Sequence, residues 1–194
     1  MKWNIIPALF CLLFLITCCG TDDRLAGKFQ SDIKEYLEAY NKTDWEKVTG
    51  MIYPGFFSAV SKNRIIQTLK SLDSSGMKRT FTFKDIDKIS GVIKEGDLQY
   101  CRIYYNVLLE VLLEENLLGN IEKFKEDFEE DFGKENIVYD NKLHRFTIEA
   151  RQSVIAVAHT GTDNWKYMEL NNEHAFDLVS LVMPGNIYRM LTFQ

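Results

Sequence analysis

The chain runs to 194 residues, 46% of them hydrophobic, with only 3 Pro and 11 Gly. That composition excludes wholesale disorder and collagen-like or low-complexity architecture, and the length suits one domain able to bury its own core. Lys and Arg number 23 against 28 Asp and Glu, a net charge of −5. The basic footprint of a phosphate-backbone binder is therefore missing, and no nucleic-acid partner is expected.

Residues 1–17 read as an address. Lys2 gives a positive start, and an apolar run follows from Ile5 to Ile16, broken by Pro7. A run of about a dozen residues is too short to cross ~30 Å of hydrocarbon as a helix, and it has the tripartite form of a secretory signal. Leu15-Ile16-Thr17-Cys18-Cys19-Gly20 resembles a bacterial lipoprotein signal. That resemblance implies a lipid thioether on Cys18, with Cys19 as the alternative, so that the domain sits on a membrane without spanning it. Asp22 and Asp23 resemble the acidic export tag of surface lipoproteins in Bacteroidota, which implies an outer-membrane, surface-exposed place in the cell envelope. Residues 18–24 are then a short tether, and 25–194 a single domain.

The mature chain opens with helices. Leu25, Phe29, Ile33, Leu37 and Tyr40 fall at helical spacing and predict an amphipathic helix over 23–41. Thr43-Asp44-Trp45-Glu46 reads as a capping box for a second helix, ended by Pro54 and Gly55. Ser61 caps a third, with Ile65, Ile66 and Leu69 turned inward. Ser74-Ser75-Gly76 is a turn, and the pattern then changes to strands. Thr80 to Asp87 alternates. From Leu98 to Leu113 the odd positions from Cys101 are apolar and the even ones mixed, which predicts a long strand with one buried face.

Asn120 is the expected cap of a fourth helix whose inner stripe is Ile121, Phe124, Phe128 and Phe132, stopped by Gly133. A second long strand is expected over 143–158, with a bulge at Arg151-Gln152-Ser153. A hairpin loop over 159–164 leads to a return strand over 165–170. A terminal helix over 173–182 stops before Pro184, and an apolar tail over 187–193 covers a sheet edge or end.

Helices followed by long antiparallel strands give an α+β fold. The segments Ile33-Lys34-Glu35-Tyr36-Leu37-Glu38-Ala39-Tyr40-Asn41 with Asp44-Trp45, Tyr53-Pro54-Gly55-Phe56-Phe57 and Asp163-Asn164-Trp165-Lys166-Tyr167 carry a further likeness. Over residues 24–172 the pattern resembles the nuclear-transport-factor-2-like superfamily (α+β cone, cystatin-like), which includes ketosteroid isomerase-like enzymes. The resemblance implies N-terminal helices packed on a curved antiparallel sheet around a cavity, here with an inserted acidic helix and a C-terminal helix. It implies no activity, because such folds host many.

Three histidines, His144, His159 and His174, share no helical spacing, and no CxxC, HExxH, phosphate loop or Gly-x-Ser-x-Gly occurs. No metal, cofactor or nucleophile is therefore expected. The acidic run Glu126–Asp131 reads as a solvated helix face, without EF-hand spacing. Tyr36, Tyr40 and Tyr105 are the candidate cavity residues, with Asp85, Asp87, Tyr104 and His144 as further polar candidates. Tyr100, Arg102, Tyr104 and Leu108 form a candidate interface, for a homodimer or a protein partner, on the opposite strand face.

The face from Cys101 to Leu113 carries no acid, base or amide, and Tyr105 alone is insufficient for acid–base work. This favours a non-catalytic domain binding a protein or a small apolar ligand over an isomerase, dehydratase or hydrolase acting on a small apolar substrate. A pocket of a few hundred Å³ holding a buried Asp, Glu or His reverses that order.

Overall fold

The computed structural model describes residues 23–170 and 173–192, the side chains of the last segment from 175 onward. Cys18 and Cys19 lie outside the described residues. The chain is α+β, with helices laid on a curled antiparallel sheet.

Helix α1 (Asp23–Asn41) buries Phe29, Ile33 and Leu37 at the spacing the sequence shows. It starts at Asp23, so the last two residues of the expected tether are already helical. It ends by a backbone reversal in which Thr43 takes φ +55° and the Asp44 N–H donates to the Ala39 carbonyl. That reversal also settles the next cap. Asp44, not Thr43, is the N-cap of α2 (Trp45–Met51), its carboxylate accepting from the Lys47 N–H at 3.1 Å, so the expected capping box does not form. A 3-10 turn over Pro54–Ser58 follows, and then α3 (Lys62–Asp73), capped by Ser61 as expected.

Six strands make the sheet: β1 (Met77–Ile89), β2 (Ile93–Glu95), β3 (Leu98–Leu113), β4 (Ile137–Asp140), β5 (Arg145–His159) and β6 (Lys166–Glu169). The order is β1–β3–β5–β4, with β2 also on β3 and β6 also on β5. The β3–β5 ladder is unbroken from Leu98↔His159 to Leu112↔Arg145. The bulge expected at Arg151-Gln152-Ser153 is therefore absent. The irregularities lie in β1, between Phe83 and Asp85 and between Ile86 and Lys88. Strand β4 was not expected: four residues between a helix stop and a turn are too few to show a period.

Each face of the sheet is covered differently. The inner face of β3 and β5, with Ile103, Val107, Phe146 and Ile148, packs against α1. Near Phe146 it is closed by α4 (Ile121–Phe132), whose Phe128 ring meets Phe146 edge-on at 5.1 Å. Gly133, at φ +85°, ends α4 as expected, but Asn120 makes no side-chain cap because a 3-10 turn over Glu115–Asn120 runs directly into the helix.

The outer face at Tyr100, Ile155 and Val157 is covered by α5 (Glu173–Val182) and α6 (Gly185–Thr192) through Val179, Met183, Ile187 and Leu191. The apolar tail is thus a helix. Each fully buried aliphatic of this set contributes roughly 1.5–3 kcal/mol, enough to hold two short helices that would not form alone.

Candidate active site or ligand cavity

The inner face is not filled along its whole length. Between α1, α2, α3, the sheet and α5 lies a cavity of about 320 Å³. Ile33, Val48, Ile65, Leu69, Val154 and Leu178 form its apolar wall. A smaller cavity of about 180 Å³ adjoins it and shares Tyr36, Leu69, Tyr105 and Glu169.

Glu169 stands where the two meet. It sits on β6 opposite Val154, two residues after Tyr167, so strand alternation turns both inward. Protein surrounds Glu169, yet its side chain is exposed to the cavity space. The Tyr36 O–H donates to Glu169 Oε1 at 2.5 Å. Burial raises the Glu169 carboxyl above its ordinary pKa, and the Tyr36 hydrogen bond only partly opposes this. The same enclosure, with the Glu169 charge adding to it, holds Tyr36 and Tyr105 well above the usual phenol range, so both stay protonated donors.

Tyr167 lines the cavity with its ring, but its O–H points away and donates to Asp32 Oδ2 at 2.5 Å. Asp32 is buried and also accepts from Lys28 Nζ. This pair is satisfied without the cavity and leaves Glu169 as the charged group of the site.

Of the candidate cavity residues, Tyr36 and Tyr105 line both spaces and Tyr40 lines the smaller. Tyr40 is raised from its usual phenol range chiefly by burial, against a lowering from Arg79. The other polar candidates do not reach the cavity. Asp85 accepts from Asn106, Asp87 pairs with Arg151, and His144 occupies a turn at φ +49°. Tyr104 lies on the outer face, flanked by the Arg102 and Arg151 guanidinia at 4.6 and 4.4 Å from its ring centre.

The candidate interface needs correction at two positions. Tyr100 and Arg102 are 3% and 9% exposed, because α5 and α6 fold over them. Arg102 donates to the Leu191 carbonyl and to Ser153 Oγ. Tyr104 and Leu108 are half-buried.

Two polar cavity residues escaped the sequence reading. Gln152 pairs across to Tyr105 and lines the smaller cavity, where a bulge was expected. Glu169 was passed over inside the return strand. For Gln152 the signal was plain alternation, 150, 152 and 154 on β5; the inner face of the four-residue β6 offers only 167 and 169. The face of β3 does lack charge from Cys101 to Leu113, but the carboxylate arrives from a different strand. Cys101 points into the same core, fully buried, and burial pushes its thiol up to about 12, which makes it inert.

No family model and no curated protein matches this chain. Two solved chains do. One, from Streptomyces avermitilis, is described as a member of the NTF2-like family and provisionally as a dehydratase. It is 11% identical, covers 76% of this chain and 93% of its own, and superposes with a TM-score of 0.36. A likeness this distant carries no argument about activity; the α+β arrangement rests on the strands and helices themselves.

Proposed function

We propose that this domain binds one small, largely apolar molecule in the inner cavity, with the molecule's polar group set against Glu169, Tyr36 and Tyr105. The observation that carries the reading is a carboxylate facing an otherwise apolar space of about 320 Å³. Ligand sites are of this kind: concave, mostly apolar, with a few convergent polar groups. A cavity with no occupant would forfeit packing contacts along its walls, a cost that a binding role explains.

The test is titration with a neutral apolar dye, N-phenyl-1-naphthylamine. Leu69 lines both cavities, and Leu69→Trp fills the passage between them. Dye affinity is expected to fall about tenfold or more in that variant, since a blocked pocket loses most of the ligand's buried surface. Equal binding by wild type and variant would sink the reading.

A second reading is favoured by Glu169 in particular. A carboxyl with a raised pKa, beside two tyrosine donors, is equipped to move a proton while Tyr105 or Tyr36 holds a developing negative oxygen. The domain would then be an enzyme of the isomerase, dehydratase or hydrolase type. The charge-free β3 face, which favoured a non-catalytic domain, does not exclude this, because the carboxylate comes from β6; Glu169 is exposed and not buried, so the binding reading keeps first place. Turnover that Glu169→Gln abolishes while dye binding persists would establish it; dye binding without turnover of any such substrate leaves the binding reading alone.

The lipid anchor belongs to the same proposal: the Cys18 thioether, or Cys19 in its place, would hold the domain on the bacterial envelope. Mass analysis of the mature N-terminus in the Cys18→Ser and Cys19→Ser chains tests it. Loss of the lipid is expected in Cys18→Ser, and an unlipidated wild-type chain would end the idea.

A further inference from the structure

The charge of the cavity narrows its ligand class. Neither of the two spaces that share Glu169 is lined by a Lys, Arg or His among the described residues. Arg79 of β1 acts on Tyr40 from outside the lining, and the groups that line these spaces beside Glu169 are neutral. They are Tyr36 and Tyr40 from α1, Tyr105 from β3, Gln152 from β5 and Tyr167 from β6. Helices α3 and α5 offer only apolar side chains there, such as Leu69 and Leu178. Tyr36 serves Oε1 alone, and Oε2 accepts no hydrogen bond from any described residue. Glu169 is exposed to the open space of the cavity, and among the described residues no basic side chain lines that space to balance its charge.

The relief for such a group is a cation brought by the ligand. We propose that the cavity selects a protonated amine carried on an apolar chain. The ammonium donates to Oε2 and cancels the Glu169 charge. The tyrosine rings around it add the attraction of aromatic walls for a cation. An alcohol can give one hydrogen bond but no charge, and a carboxylate ligand meets like charge. Desolvation raises the Glu169 carboxyl, and an ammonium beside it would favour the charged form again.

The apolar chain has a path. A third cavity, about 570 Å³, lies at the junction of α3 and α5 and shares Phe56, Ile65, Leu69 and Leu178 with the central one. Arg64 and Asp177 stand on its lining, so the one basic side chain along the route, among the described residues, is kept at this outer end. An alkyl chain that runs outward from Glu169 past Leu69 and Ile65 meets only hydrocarbon until that rim.

This rests on the proposed cavity reading, and the experiment separates the two. The full chain is titrated with n-octylamine, n-octanol and octanoate by displacement of N-phenyl-1-naphthylamine. Octylamine is expected to bind about tenfold or more tighter than octanol, the worth of one charge-assisted contact out of water, with octanoate weakest. Lowering the pH moves Glu169 toward its protonated form while the amine stays charged, so octylamine affinity should fall and octanol affinity hold. In Glu169→Gln the amine's advantage and its pH dependence should both vanish while octanol still binds. If octanol equals octylamine, or Glu169→Gln keeps the preference, the amine proposal fails and the cavity reading stands. If the dye and all three probes fail to bind, the cavity reading itself falls. The wild-type ligand series and its pH profile decide the matter even if the variant does not fold.

Discussion

Two charges of opposite sign, one buried and one open to a cavity, lie on opposite faces of the sheet and are treated differently. Arg102 faces outward, 9% exposed under α5 and α6, with no carboxylate paired to it among the described residues. Its terminal nitrogens donate to the Leu191 carbonyl at 3.2 Å and Ser153 Oγ at 3.0 Å, and the rings of Tyr104 and Phe176 lie at 4.6 and 5.8 Å, while Nε is buried without a hydrogen-bond partner among the described residues. Glu169 faces inward, one hydrogen bond from Tyr36, with open space beyond. A buried charge supplied by its own chain on most sides is a structural device. An exposed carboxylate at the meeting of two cavities, held by its own chain on one side only, is open to a ligand.

Arg102 gives the larger test of that contrast. Arg102→Ala strips the carbonyl end of α6 of its donor, removes the hydrogen bond given to Ser153 Oγ, and opens a gap between Tyr104 and Phe176. Carbonyls left without a donor and lost packing of the long stem together suggest a loss of about 3 kcal/mol, read by chemical denaturation. Dye affinity of the folded protein should stay within about threefold, since Arg102 does not line the cavity and distant sites act independently. A loss under about 1 kcal/mol would mean that water serves the helix end as well as Arg102 does. In that case the two charges are not different in kind.

What the sequence made legible follows from period and length. Both ends of α1 could be read, because nineteen residues carry five turns of one apolar stripe. The same holds for β3, whose odd positions never break. Of the four tyrosines that line the two spaces, Tyr167 was placed only on its strand, while Tyr36 and Tyr40 from the helix and Tyr105 from the strand followed directly. Glu169 did not, because β6 is four residues long and its inner face holds only two of them. No period exists over two positions. Gln152 was hidden differently: flanked by Arg151 and Ser153 it looks like an irregularity, and only the unbroken β3–β5 register shows it to be an ordinary inward residue. Helix α6 was short enough to pass for a tail, although Ile187 and Leu191 stand one turn apart and are both buried. Tyr100 and Arg102 could be placed on the outer face from sequence. That the chain's own C-terminal helices would claim them depends on long-range packing that no local pattern encodes.

Glu169 gives the smaller and more specific effect. Its carboxyl is held above its unfolded value, so the folded state prefers the protonated form. The stability this confers is fully present below the unfolded pKa of about 4.3 and is lost as pH rises through the raised folded value. The amide that replaces the carboxyl in Glu169→Gln does not titrate and has no such dependence. The melting temperature of the variant relative to wild type should therefore climb from acid toward neutral pH, with the variant the more stable of the two at about pH 7. Thermal melts of both proteins at matched pH values read this directly. Arg102 gives no comparable profile in that range, because a guanidinium stays protonated throughout it. A gap that opens in the other direction, with wild type gaining as pH rises, would mean that Glu169 meets a cation in the folded chain. The cavity would then be complete as it stands, and the asymmetry between the two faces would disappear.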